Sequence, residues 1–165
     1  MNDKLAHIKS CVETLASIIE VPDNLMPTYG NSHEAHPNIE VNERGELSYE
    51  ISERGKEIKK DYALDLDHLL YIIFRDITYS MAFDFAAKHP QTNIDTQRIR
   101  FHRQLELLGK LKKEWQQKEK EYQDKIIIQF PFNDYEGKRQ TYLRELMGNG
   151  FLYNEALEKV NEKYP

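Results

Sequence analysis

The hydrophobic pattern of this chain changes period twice, and those changes dictate the class of fold. Residues 3–20 place Leu5, Ile8, Val12, Leu15, Ile18 and Ile19 at three- and four-residue steps, which predicts an amphipathic helix. Pro22 and the loop stretch 27–32 end it. Over 37–62 the step falls to two. Ile39 and Val41 alternate, Asn42-Glu43-Arg44-Gly45 turns the chain, and Leu47, Tyr49 and Ile51 alternate against Glu46, Ser48, Glu50 and Ser52. Ser52-Glu53-Arg54-Gly55 makes a second turn ahead of Ile58 and Tyr62 on a third strand. Alternation bounded by glycine-containing turns predicts an antiparallel meander with one buried face.

The helical step returns at Asp65, with Leu66, Leu69, Leu70, Ile73, Phe74, Ile77, Met81 and Phe85 in one stripe. Asp65 suits the N-cap and His89-Pro90 the stop. A second long helix is expected from Asn93 or Asp95 to about Tyr122, antiparallel to the first because the link is short. Its polar run over 116–125 reads as a solvated overhang, and Ile126-Ile127-Ile128 as either the helix end or a brief strand. Asn133 followed by Glu136 has capping-box spacing and opens a helix over 134–147; Gly148-Asn149-Gly150 separates it from a last helix over 154–163. The sum is α+β: a small antiparallel β-meander packed on a helical layer with a long antiparallel helical hairpin. At 165 residues the chain suits a single domain, 1–165.

Several functional classes drop out on composition. The longest apolar run, Leu69 to Phe74, falls far short of the ~18–20 residues that cross a bilayer. A polar start and one cysteine leave neither a cleaved signal nor a disulfide framework, so a cytoplasmic protein with no membrane association is expected. The net charge of −5 is uneven: residues 1–67 hold 14 acids against 7 bases, residues 68–165 hold 14 against 16. No dense basic patch marks a nucleic-acid binder. The two helices of 135–163 could suggest helix-turn-helix DNA binding, but Glu155, Glu158 and Glu162 on the second would repel phosphates.

The chemical motifs are equally thin. His33-Glu34-Ala35-His36 is one residue short of the spacing that puts two histidines on one helix face, so no metal site is expected. Cys11 lies beside the first apolar stripe, where a thiol packs as a small hydrophobe. No catalytic motif or cofactor loop is present. Asp84 falls on the apolar stripe of the central helix, where a carboxylate needs a partner; Arg98, Arg100 and Arg103 face it across the hairpin. An Asp84 pair with Arg98 or Arg103, fixing helix register, is the expectation. On the meander Glu40, Glu46 and Glu50 point outward, and Glu57 and Asp61 on the third strand extend the patch, diluted by Lys56, Lys59 and Lys60. That face is either simply solvated or a docking surface for a basic protein.

Asp65-Leu66-Asp67-His68-Leu69-Leu70-Tyr71 with Phe74, Thr78 and Ser80-Met81-Ala82, then Arg98, Phe101, Gln104 to Leu108, Trp115 and Pro131-Phe132-Asn133-Asp134, resembles the immunity protein 63 family. Pro37 to Val41, Tyr49 and Ser52 to Gly55 match its strand-turn-strand lead-in, so the resemblance covers roughly 30–134 and leaves 135–165 as a helical extension. It implies an immunity protein that binds and neutralises a cognate bacterial polymorphic toxin encoded beside it, by occluding the toxin's active domain. No catalytic residues carry over. The rival readings are a small carboxylate-dependent enzyme using Asp84 or Glu106, and a helical scaffold that oligomerises through 112–125. Oligomeric state is open.

Overall fold

The computed structural model describes residues 3–30, 36–53 and 56–165, with Glu53 described by its backbone alone. In chain order the elements are α1 (Asp3–Ile18), β1 (Thr28–Tyr29), β2 (Asn38–Val41), β3 (Leu47–Glu53), β4 (Lys56–Ala63), α2 (Leu66–Lys88), α3 (Thr96–Leu111), α4 (Lys113–Gln129), α5 (Asp134–Gly148) and α6 (Tyr153–Lys163). The α+β class read from periodicity is the class found. The chain divides into two compact units: Met1–Met81 with Gln104–Lys120, and Ala82–Arg103 with Glu121–Pro165.

In the first unit the sheet order is β1-β2-β3-β4, with β2, β3 and β4 antiparallel as expected. The two-residue β1, too short for alternation to reveal, adds a parallel pair with β2. The β2–β3 turn forms because the Asn42 side-chain oxygen accepts from the backbone N–H of Arg44 and Glu46, at 3.0 and 2.9 Å. Gly45 takes the left-handed φ of 78° that this turn requires. Arg54 and Gly55 of the second turn lie outside the described residues.

Register puts Ile39 opposite Tyr49 and Val41 opposite Leu47, so one face of the sheet is apolar. That face packs with Ile8 and Val12 of α1, Leu69, Ile73 and Phe74 of α2, Leu107 and Leu108 of α3, and Trp115 of α4 in one core. Each large side chain so buried stabilises the fold by roughly 1.5–3 kcal/mol. The Asp65 carboxylate accepts from the His68 N–H at 2.8 Å and caps α2 as predicted.

The second long helix departs from expectation. It breaks at Lys112 and doubles back: the Gln116 side-chain amide donates to the Leu105 carbonyl at 2.9 Å. A Cβ on Gly109 would lie 2.4 Å from that amide nitrogen, so any larger residue there would displace the Gln116 side chain from this contact. The stretch 116–125 is therefore no solvated overhang. Trp115, Glu119 and Gln123, spaced by four, are all buried. Glu119 accepts from Arg75 Nε at 2.7 Å and from the Tyr71 hydroxyl at 3.1 Å. Ile126 to Ile128 close α4 as helix.

In the second unit Asp95 caps α3, accepting from the Gln97 N–H at 2.9 Å, and its other oxygen accepts from the Asn133 N–H at 2.7 Å. Asn133 in turn caps α5 through the Glu136 N–H, at the predicted position. Leu146, Ala156 and Val160 form a small core between α5 and α6.

Asp84 is the clearest correction in this unit, because it is exposed. Arg98 binds Asp134 instead, at 3.0 and 3.1 Å, and stacks on Phe132, while Arg103 lies over Phe85. The expected register pair of Asp84 with Arg98 or Arg103 is thus not the arrangement found. In this half of α2 the buried residues are Ala82 and Ala86. Asp84, two residues from each, points about 200° away around the helix.

Candidate partner-binding surface

Glu50 and Lys60 stand opposite one another across β3 and β4, on the sheet face away from the core. They form an ion pair, and Lys60 also reaches Glu40 on β2 at 3.8 Å. Ser48 donates to Glu50 at 2.9 Å. A hydrogen bond to Glu50, helped by burial, pushes the Glu40 carboxyl above its usual range. Burial alone would raise Glu50 too, but hydrogen bonds from Lys60, Glu40 and Ser48 outweigh it and hold Glu50 low. Contact with Glu50 raises Lys60. The two acids are therefore half-neutralised by one cation rather than freely presented.

Glu46 sits in the β2–β3 turn and accepts from the Asn42 amide at 2.6 Å. Glu57 is exposed and pairs in register with Ser52, on the Glu50 side. Asp61 does not join them. It lies opposite Tyr49, on the inner face, where Lys59 bridges it to Asp76 of α2 at 3.1 Å to each. The cause is a β-bulge between Ile51 and Ser52: Ser52 pairs with Glu57 but Ile51 with Lys59, so one extra residue reverses the facing of everything beyond it. Two acids four apart consequently end on opposite faces, which alternation alone would not permit.

The same strand exposes what the sequence reading overlooked. β4 is an edge of the sheet, and Tyr62 remains 64% exposed, with Ile58 and Leu64 also out in solvent. The charged run Lys56, Glu57, Lys59, Lys60 and Asp61 on this strand is the available signal, since edge strands are commonly guarded by charge.

On the inner side, Tyr49, Ile51, Asp76, Ile77, Tyr79 and Ser80 line an open depression of about 310 Å³. Burial, then the Asp76 carboxylate, raises the Tyr49 hydroxyl well above its ordinary pKa. Burial tends to lower Lys59, but Asp61 and Asp76 hold it high. These charges satisfy one another. The two carboxylates considered for catalysis, Asp84 and Glu106, are both exposed. Cys11 is half-buried, its sulfur 3.8 Å from His7 Nε2. His33, Glu34 and Ala35 lie outside the described residues; among those described, no three His, Cys, Asp or Glu gather as metal ligands. No helix among them is long and apolar enough to cross a membrane.

The fold is that of a small α+β protein with a four-stranded sheet whose β4 edge is exposed. The chain belongs to the Immunity protein 63 family, whose sequence profile matches residues 43–125, from the β2–β3 turn into α4. Its partner as an immunity protein is a toxin. Neither a curated protein nor a solved structure shows significant similarity to it.

Proposed function

We propose that this immunity protein acts in the bacterial cytoplasm by binding one cognate polymorphic toxin in a stoichiometric complex that covers the toxin's active domain. The contact surface is the outer face and free edge of β4. The observation that carries this choice is Tyr62, an exposed aromatic inside the family-matched segment, flanked by Ile58, Glu57 and the Glu50–Lys60 pair. An aromatic anchor within a polar rim is the composition of an interface hot spot. Glu40, Glu46, Glu50 and Glu57 act in the encounter, steering a toxin with a basic cleft, and Asp61 takes no part.

The test is co-expression with the toxin encoded beside this chain, scored for growth and for a one-to-one complex. Wild type should restore growth. Tyr62→Ala should raise the dissociation constant about tenfold or more, chiefly through faster dissociation. Glu57→Lys should slow association and flatten its salt dependence. Absence of rescue by wild type refutes the function. Rescue with unchanged affinity in both variants refutes the surface.

A further inference from the structure

The two units divide the labour of the surface unequally. Met1–Met81 with Gln104–Lys120 holds 18 acids against 13 bases, the whole net charge of −5, while the other unit holds 10 of each and is neutral. The neutral unit carries nine of the fourteen large apolar side chains exposed among the described residues. Four of them gather at one tip, where α5 turns into α6: Met147, Phe151, Leu152 and Tyr153, exposed by 46, 38, 72 and 54%. The turn between them is tight, with Gly150 N–H donating to Met147 and Phe151 N–H to Leu146.

Leu152 is the informative member. It occupies the N-cap of α6, a position where leucine ranks among the poorest choices and Ser, Thr, Asn or Asp among the best. Glu155 three residues on already accepts from the Leu152 N–H at 3.2 Å, so half of a capping box is in place and only a polar cap side chain is missing. A single folded chain gains nothing from a leucine there. A chain that buries it against something else does.

We propose that the α5–α6 tip is a self-association surface that takes the same tip of a second copy of this chain. Neutrality favours a second copy: two such units approach without the repulsion that the acidic units would impose on each other. The charges around the tip are of both signs, Arg144 and Lys159 against Glu145, Glu155 and Glu158, as an isologous two-fold contact needs in order to match itself. The area sets the strength. Side chains of this size, at these exposures, offer about 400 Å² of mostly apolar surface per copy. Adding the charged rim brings the buried total to roughly 1,000–1,200 Å², the lower bound for a specific interface, so the dimer is weak and concentration-dependent.

Sedimentation equilibrium or light scattering of the full chain, from about 1 μM to about 500 μM, tests this. Wild type should move from the mass of one chain toward that of two across the range. Leu152→Ser completes the capping box, so it should melt about 2–4 °C higher at low concentration, where both are monomers, yet remain a monomer throughout. Tyr153→Lys should also stay monomeric, with an unchanged circular dichroism spectrum. The proposal fails if wild type keeps the mass of one chain at the highest concentration, or if both variants associate as wild type does. It fails equally if wild type is monomeric while the variants lose only toxin binding, which would place the toxin on the tip.

Discussion

Arg75 on α2 donates its Nε proton to a carboxylate oxygen of Glu119 on α4, at 2.7 Å, and Glu119 is 2% exposed. The pair ties together two helices 44 residues apart, with the Tyr71 hydroxyl on the same oxygen. Removing Arg75 leaves a buried Glu119 carboxylate that keeps its Tyr71 hydrogen bond but has lost its charged partner. Arg75→Met should therefore destabilise the protein by about 3 kcal/mol, whereas a combined Arg75→Met and Glu119→Leu exchange should cost much less than the two single changes added. Urea unfolding of the four proteins of this cycle measures the coupling; simple additivity would mean that the pair contributes nothing.

The exposed position of Asp84 reverses what its place on the apolar stripe suggests. Asp84→Ala should leave the melting temperature within the scatter of surface substitutions. Arg98→Ala should lower it, because Arg98 holds both oxygens of Asp134 and covers the Phe132 ring at 4.3 Å. Differential scanning calorimetry of the two variants separates these expectations. A larger loss at Asp84 than at Arg98 would restore the original pairing.

Two glycines of α5 should answer oppositely to alanine. By helix propensity either substitution in a helix gains up to about 1 kcal/mol. A Cβ on Gly137, however, would lie 2.5 Å from the backbone carbonyl carbon of Ile94 and 2.6 Å from its oxygen, and backbone cannot swing aside. Gly137→Ala should cost about 1–3 kcal/mol as an overpacking change. Gly148→Ala meets nothing within 4 Å and should be neutral or slightly stabilising. Parallel denaturation curves decide, and equal behaviour would mean that α5 packs less tightly on residues 94–95 than described.

Acid should weaken the first unit partly through Asp67. Its carboxylate takes a hydrogen bond from Lys112 at 2.6 Å and one from Trp115, and the Lys112 contact, opposed by slight burial, lowers its pKa from the usual 3.8. A carboxyl whose folded pKa is depressed stabilises the fold above its unfolded pKa. That contribution fades as pH falls through the lower, folded value. The side chain is half exposed, so solvent screening limits the effect to on the order of 0.5 kcal/mol. Asp67→Asn should lose this increment at neutral pH and converge with wild type in strong acid. Stability curves that stay parallel down to low pH would exclude the linkage.

Much of the molecule was legible from local pattern. The Leu5–Ile8–Val12 stripe, the alternation around Tyr49, and the caps at Asp65 and Asn133 all depend on residues within a turn or a pleat of one another, and each lies where spacing put it. The surface was legible only in part. Glu40 and Glu50 do share the outer face, but the bulge at Ile51/Ser52 moved Asp61 away and brought Tyr62 into view. A bulge is one residue of slippage between two strands, and nothing in either strand alone announces it.

By itself, then, the order of residues determined most of the helices and the three longer strands, where most of them begin and stop, and that the protein belongs with the immunity proteins. Tertiary structure alone decided that the helix after Asn93 reverses at Lys112, that a glutamate in a charged run is buried, and which acids face outward. Periodicity reports how a segment divides between two sides. It does not report what stands opposite, and a polar group such as Glu119 is stable inside only because Arg75 and Tyr71, far along the chain, arrive to meet it.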